Sequence, residues 1–257
     1  MKHKILGDDL QAILISLEPG ESVMAEAGAM LYMTDGVEME TRLGAGGAEN
    51  SDTIGKLWKG AKRMLAGDSL FMTVCTAHHQ AGAVGFSAPN PGKIIELNLS
   101  ETGPMLCQRS AFLCAETTVD MDIAFTKRFG AGLFGGEGFI LQKLTGPGQA
   151  FAHAGGMVFP LELKPGQTLR VDTGCLAAMS ASIDYDIRLV KGVKTALFGG
   201  EGLFFAHLAG PGKVYLQSMP LNRLADRLVS ASGLGGVQTR GPGGLAGKIF
   251  GTLLGGD

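Results

Sequence analysis

The chain has 257 residues, of which 45% are hydrophobic and 18% are charged, and its formal net charge is −2. This charge argues against a dedicated nucleic-acid-binding domain, which normally carries a strong basic excess. No apolar run approaches the length of about 18 residues that a transmembrane helix needs, so none is expected. The 41 glycines exceed the usual share of about 7% and stand in short clusters between apolar runs, which is typical of many tight turns.

The four cysteines, Cys75, Cys107, Cys114 and Cys175, include no C-x-x-C pair. Two of them, Cys114 and Cys175, correspond to alanines in the internal repeats described below. This exchange favours small buried apolar sites over metal or redox chemistry. Acidic residues follow the first positions too soon for a secretory signal peptide. The sequence therefore favours a cytoplasmic protein, with peripheral attachment to a membrane left open.

The first third of the chain contains strand patterns. A Pro19-Gly20 turn signal precedes a strand-like run, and residues 37–41 then alternate strictly, with Val37, Met39 and Thr41 on one side and acidic residues on the other. The same alternation occurs at residues 119–123 and 183–187. Period-two alternation predicts β-strands with one buried and one solvated face.

Residues 51–65 predict a helix that interrupts the strand pattern. Capping residues precede apolar positions at helical spacing, and basic residues line much of the other side. The favoured interpretation is a helix that covers an open end of the sheet assembly. The alternative is a basic amphipathic helix that contacts an anionic membrane surface or a partner. The contact residues of that alternative are Trp58, Lys59, Lys62 and Arg63.

A glycine-rich motif, Leu-Phe-Gly-Gly-Glu-Gly, occurs at residues 133–138 and again at 197–202, which is 64 positions later (197 minus 133). A degenerate third copy stands at residues 65–71. The motif lacks the full pattern of a phosphate-binding loop, and strand-forming residues follow both full copies. We interpret its glycines as structural turn positions that need positive φ or close backbone approach. They are Gly135, Gly136, Gly138, Gly199, Gly200 and Gly202.

The similarity between copies extends well beyond the motif and divides the chain into repeats. Adding 82 to positions of the first repeat reaches the second, and adding 64 to those of the second reaches the third. The expected organisation is a single β domain over residues 1–220, with repeats at about 10–95, 96–160 and 161–220. Residues 221–257 are expected to form a C-terminal helix, begun after Pro220, and a glycine-rich tail.

Several stretches resemble one bacterial family of uncharacterised proteins. They are residues 18–30 (Glu-Pro-Gly-Glu-Ser-Val-Met-Ala-Glu-Ala-Gly-Ala-Met), residues 58–71 and the two Gly-Gly-Glu-Gly copies. The eukaryotic relatives of this family are the altered-inheritance-of-mitochondria (mitochondrial biogenesis) proteins. The resemblance covers nearly all of residues 1–220.

The resemblance implies a fold similar to the tryptophan RNA-binding attenuation protein. Together with the repeats, it predicts an all-β chain of three antiparallel β-sandwich units around a pseudo-threefold axis, with one inserted helix and one C-terminal helix. For the mitochondrial relatives it implies association with the inner membrane and support of its organisation. It implies no enzymatic reaction and no cofactor.

One set of acidic residues is a candidate metal site. Asp68, Glu137 and Glu201 occupy the same place in the three motif copies and would converge if the repeats surround one axis. Three carboxylates suit a hard cation such as Ca²⁺ or Mg²⁺. The favoured alternative is that each carboxylate accepts backbone N–H bonds within its own turn. No catalytic residue is assigned, because no nucleophile motif is present.

The sequence therefore favours a non-enzymatic scaffold or interaction protein that forms homo-oligomers and contacts a partner or a membrane surface. The alternative is a small-ligand or metal-binding protein that uses the three carboxylates. RNA binding by analogy of fold is the weakest hypothesis, because no Lys/Arg triplet recurs at matching positions and fold alone does not license function.

Overall fold

The computed structural model describes residues 1–43, 71–127, 139–189 and 204–232. These residues confirm the predicted all-β class, since they form nineteen strands and two short α-helices. None of the helices among them is long and apolar enough to cross a membrane. The strands are β1 (Lys2–Leu6), β2 (Ala12–Leu17), β3 (Ser22–Glu26), β4 (Met30–Met33), β5 (Val37–Leu43), β6 (Phe71–Ala77), β7 (Gly82–Ser87), β8 (Gly92–Asn98), β9 (Met105–Gln108), β10 (Phe112–Glu116), β11 (Asp120–Lys127), β12 (Phe139–Thr145), β13 (Gln149–Gly155), β14 (Val158–Leu163), β15 (Thr168–Asp172), β16 (Leu176–Ser180), β17 (Asp184–Leu189), β18 (Phe204–Ala209) and β19 (Gly212–Gln217). The helices are α1 (Leu99–Thr102) and α2 (Leu221–Ala231).

The strands form four antiparallel sheets. Sheet A has the order β1-β2-β7-β4, and sheet B has the order β5-β6-β3-β10-β13-β8. Sheet C has the order β11-β12-β9-β16-β19-β14, and sheet D has the order β15-β18-β17. The trio β5-β6-β3 therefore recurs as β11-β12-β9 and as β17-β18-β15. A second trio, β4-β7-β2, recurs as β10-β13-β8 and β16-β19-β14.

Sheets B and C each join one trio of each kind. In sheet B the junction is β3 with β10, where Ala25 lies opposite Cys114. In sheet C the junction is β9 with β16, where Cys107 lies opposite Ala178. All four residues at these positions are fully buried. Because residues that lie opposite each other point to the same face, each small pair lets one apolar layer approach its sheet closely.

Three apolar cores separate the four sheets. The first core combines residues of sheets A and B, such as Ile15 and Phe151. The second core lies between sheets B and C and includes Leu97 and Met105. The third core lies between sheets C and D and includes Leu141. Sheets B and C are therefore buried on both faces, whereas sheets A and D each contribute one face to a core.

The predicted alternation is confirmed in two of the three strands. Val119 and Met121, as well as Ile183 and Ile187, are buried, and the intervening acidic residues are exposed. The prediction is wrong for the second half of β5, where Met39 is 43% exposed and Thr41 is exposed as well. The first core contains no residue of β5 beyond Val37, so the later side chains have no apolar layer to enter.

The chain divides into two compact units at Pro220. The first unit, Met1–Pro220, contains all four sheets. In the second unit the described element is α2, which begins at the predicted position directly after Pro220. The exposed Leu228 and Val229 belong to this helix.

Truncating a buried aromatic residue of the first core should destabilise the fold. Phe151 has no solvent exposure, and its ring meets the imidazole of His3 edge-on with centroids 4.8 Å apart. Phe151→Ala should lower the free energy of unfolding by about 3–5 kcal/mol, because the cavity cannot refill in a packed interior. Urea unfolding followed by circular dichroism measures this change.

Phe159 provides the control for that substitution, because it is 43% exposed on β14. Phe159→Ala should cost less than about 1 kcal/mol, since little apolar surface leaves water when this residue folds. Equal losses for the two variants would contradict the placement of Phe151 in the core.

Candidate functional site

The predicted site residues all lie outside the described residues. This applies to the three candidate metal ligands, to the four candidate contact residues and to the six motif glycines. Whether the three carboxylates converge therefore stays a prediction. The full set is Asp68, Glu137, Glu201, Trp58, Lys59, Lys62, Arg63, Gly135, Gly136, Gly138, Gly199, Gly200 and Gly202.

The described strands nevertheless show which elements the three motif copies connect. Residues 44–70 join β5 to β6, residues 128–138 join β11 to β12, and residues 190–203 join β17 to β18. Each of these strand pairs is antiparallel and adjacent in its sheet. Each copy thus links two partners of a hairpin, at the same place in the recurring trio.

A cleft of about 410 Å³ lies on the side of sheet D that faces away from the third core. Arg170, His207 and Asp186 stand in register across its three strands. The Nε atom of Arg188 donates a hydrogen bond to Asp186 Oδ2 at 2.6 Å, and Asp184 completes the polar lining. Both partners of this ion pair are more than half exposed, so water screens it and it stabilises the fold little. The cleft is a mixed-charge surface that suits a polar partner.

The acidic pair of β5 lies beside basic side chains. Glu38 lies 3.5 Å from the imidazole of His78, and Glu40 pairs with Arg42 on the same strand. Among the described residues, no group of three or more His, Cys, Asp or Glu side chains could hold a metal ion. Two of the exposed carboxylates, those of Glu40 and Asp186, therefore pair with arginines of the protein itself.

Three of the four cysteines are buried, as the sequence predicts for small apolar residues. The prediction is wrong for Cys175, which is partly exposed. Burial raises the pKa of the Cys107 and Cys114 thiols far above the usual range, and it also raises the pKa of Cys75. A thiol in its neutral form is a poor nucleophile and a poor metal ligand.

His153 is a buried titratable group that the sequence patterns do not single out. It lies on β13 opposite Ile94. Burial lowers the pKa of its imidazole, and a hydrogen bond with the backbone of Asn90 partly offsets that effect. A Cβ atom on Gly92 would lie 2.6 Å from the Nε2 atom of His153 and would overlap the carbonyl oxygen of Ala154. Glycine at position 92 therefore makes room for the ring.

Comparison with known proteins identifies the family. The family described as "Mitochondrial biogenesis AIM24" matches residues 3–219. The chain therefore belongs to the AIM24 family, as the resemblance of its motifs predicts.

Two streptococcal proteins are similar to the chain. An uncharacterised protein of Streptococcus pyogenes serotype M6 is 30% identical over 215 residues, which are 83% of this chain and 84% of the relative. A crystal structure of a Streptococcus pyogenes protein superposes with a TM-score of 0.70 at 26% identity. That superposition covers 90% of this chain and 100% of the other.

His153 should make the stability of the protein depend on pH below neutrality. Its pKa is lowered in the folded state, so between that value and the unfolded value of about 6.5 only the unfolded chain takes up the proton. The free energy of unfolding should fall as pH drops through this window. In His153→Gln, urea unfolding at a series of pH values from neutral to mildly acidic should show a shallower fall.

The exposed His79 supplies the control. His79→Gln should keep the pH dependence of the unmodified protein. An unchanged pH dependence in His153→Gln would contradict the assigned role of the buried imidazole.

Proposed function

We propose that this protein is a non-enzymatic scaffold that self-associates and binds a further partner or a membrane surface from the cytoplasmic side. In this proposal its three β-sandwich units surround a pseudo-threefold axis, in the manner of the attenuation protein. The recurrence of both strand trios, together with the sequence offsets of 82 and 64, supports three equivalent units. The axis itself is part of the proposal. The arrangement about it is open between the third unit and the first, because among the described strands β4 and β15 do not pair with each other.

The observation that carries the proposal is the apolar strand edge of β4. Its residues Leu31, Tyr32 and Met33 are 57%, 49% and 39% exposed, and β4 ends sheet A. Exposed, apolar end strands invite pairing with another strand, and soluble proteins normally cover or charge them. An uncovered edge of this kind is therefore a docking surface.

The chemistry of the described residues favours binding over catalysis. The thiols of the buried Cys107 and Cys114 are held in their neutral form. The charged side chains of the cleft on sheet D, those of Arg170, Asp184, Asp186 and Arg188, are exposed to water, whereas catalytic groups usually lie where burial or close charges act on them. The relatives support no more specific role, since the family is described only by mitochondrial biogenesis.

Self-association should be visible in solution. Sedimentation velocity over a wide concentration range should show species heavier than the 26.7 kDa single chain, with a fraction that grows with concentration. Leu31→Asp should reduce this fraction, because a carboxylate on an end strand opposes pairing in water.

Met39→Asp is the matched control, because Met39 is a similarly exposed apolar residue on β5, at the end of sheet B. Its association should equal that of the unmodified chain. A single-chain mass at every concentration would contradict self-association.

Membrane contact through the basic residues of positions 58–63 makes a separate prediction. Replacing Lys59, Lys62 and Arg63 by Glu should weaken cosedimentation with phosphatidylserine vesicles by at least about tenfold, since each basic residue near an anionic surface contributes about 1 kcal/mol. Binding of the unmodified protein should also fall as salt is added.

A control with the same change of net charge uses the exposed Lys2, Lys4 and Lys213. Reversing these three charges should leave vesicle binding much less affected. Equal effects of the two triple variants would show that overall charge, and not this segment, governs the contact. Absence of binding to anionic vesicles would remove the membrane from the proposal and leave a protein partner.

A further inference from the structure

The two sheet junctions inside the chain follow one register. At the first, Ala25 lies opposite Cys114 and Met24 opposite Ala115. At the second, Cys107 lies opposite Ala178 and Leu106 opposite Met179. The second register follows from the first when 82 is added to the β3 positions and 64 to the β10 positions. The offsets between the sequence repeats therefore also relate the registers of the two junctions.

The rule also specifies a third junction. Subtracting 82 from the β10 positions gives β4, and adding 64 to the β9 positions gives β15. In that register Tyr32 would lie opposite Val171, and Met33 opposite Arg170. Among the described strands, however, β4 pairs only with β7, and β15 pairs only with β18.

Three of the four residues in this register, Tyr32, Met33 and Arg170, differ from their counterparts in burial, whereas Val171 is buried as its counterparts are. The counterparts of Tyr32 and Met33 on β10 and β16 are all buried, whereas Tyr32 and Met33 are exposed. On β15, Arg170 is exposed as well. Within the described ranges, each of the two strands thus has a partner strand on one side only, although sheets B and C are continuous at the same place.

We propose that β15 of one copy pairs antiparallel with β4 of a second copy, with Tyr32 opposite Val171 and Met33 opposite Arg170. This contact rests on the proposed self-association and names its site. Each copy carries one edge of each kind, so the contact is head-to-tail and repeats from copy to copy, either closing into a ring or extending. The joined strands would continue sheet D of one copy into sheet A of the next.

The side chains of the two edges suit this pairing. In each internal junction, a small residue at the joint is paired on its outer side with an aromatic residue: Cys114 with Phe151, and Ala178 with Tyr215. In sheet A the order of the two residues is reversed. The aromatic residue, Tyr32, lies on the edge strand, and the small residue, Gly85, lies opposite it on the neighbouring strand. A Cβ atom on Gly85 would lie 2.8 Å from the Tyr32 ring, so the glycine leaves space for that ring.

The proposed register also places favourable neighbours opposite each other. Tyr32 beside Val171 is an aromatic and β-branched pair, which stabilises antiparallel strands. Met33 beside Arg170 covers the aliphatic part of the arginine side chain while its guanidinium stays in water. Neither of these two residue pairs buries an unpaired charge.

The direct test is a disulfide bond between the two edges. Residues that lie opposite each other in antiparallel strands are close enough for a disulfide, at Cα distances of about 4.5–5.5 Å. Cys175 is replaced by Ala in all chains, because it is the one thiol that is not fully buried. A chain with Met33→Cys is then mixed with a chain with Arg170→Cys, and mild oxidation should give a cross-linked dimer of the two.

The doubly substituted chain distinguishes pairing between copies from pairing within one chain. Oxidation of Met33→Cys/Arg170→Cys should give a ladder of cross-linked chains on a non-reducing gel. If its two new thiols disappear without any gain in mass, β4 and β15 pair inside one chain and the proposal is overturned. Each singly substituted chain, oxidised alone, should give far less dimer than the mixture.

A charge exchange provides a test that does not depend on oxidation. Met33→Lys places a positive charge opposite Arg170, whereas Met33→Glu places a negative charge there. Both variants put a charge on the same exposed strand, so single-chain stability should change alike. Self-association should be weaker for Met33→Lys than for Met33→Glu by on the order of tenfold, and adding Arg170→Glu to Met33→Lys should restore it.

The outcomes separate this contact from the proposed function. If the unmodified protein self-associates but Met33→Lys and Met33→Glu behave alike and no cross-link forms, the contact lies elsewhere and only this inference fails. If the unmodified protein remains a single chain at every concentration, both the contact and the self-association are wrong.

Discussion

Backbone pairing at two junctions, β3 with β10 and β9 with β16, is the constraint on which the rest of the structure depends. These junctions make sheets B and C continuous, and their buried residues contribute to the apolar cores on the two faces of each sheet. A sheet buried on both faces cannot shift its register by one residue without turning its side chains into the opposite core. The three cores are therefore fixed relative to one another by strand pairing.

The same strand pairing leaves sheets A and D, the first and last of the four sheets, available for binding. Sheets A and D each bury one face, and β4 and β15 each have one described partner strand. Exposed apolar residues lie on end strands of the sheets, such as Leu31 on β4 of sheet A and Phe159 on β14 of sheet C. An AIM24-family chain built in this way offers surfaces for assembly at its periphery, while its interior is filled by closely packed side chains.

The sequence predicted the features that depend on local pattern. Alternation identified β11 and β17, the Ala-for-Cys exchange indicated the buried thiol of Cys114 but not the partly exposed Cys175, and Pro220 marked the start of α2. Features that depend on distant neighbours were not predictable in this way. Met39 alternates as Met121 does, yet only Met121 has an apolar layer to enter. The burial of His153 and the cleft around Arg170 likewise arise from pairing between strands far apart in the chain.

Hydrogen exchange of the backbone amides, followed residue by residue in dilute protein, tests the central claim most directly. The account predicts the slowest exchange at the junction strands β3, β10, β9 and β16, because opening them requires unfolding of two cores at once. It predicts fast exchange along the outer sides of β4 and β15 in the single chain, and slower exchange there once copies associate. Equal protection of β4, β15 and the junction strands in a single chain would contradict the account.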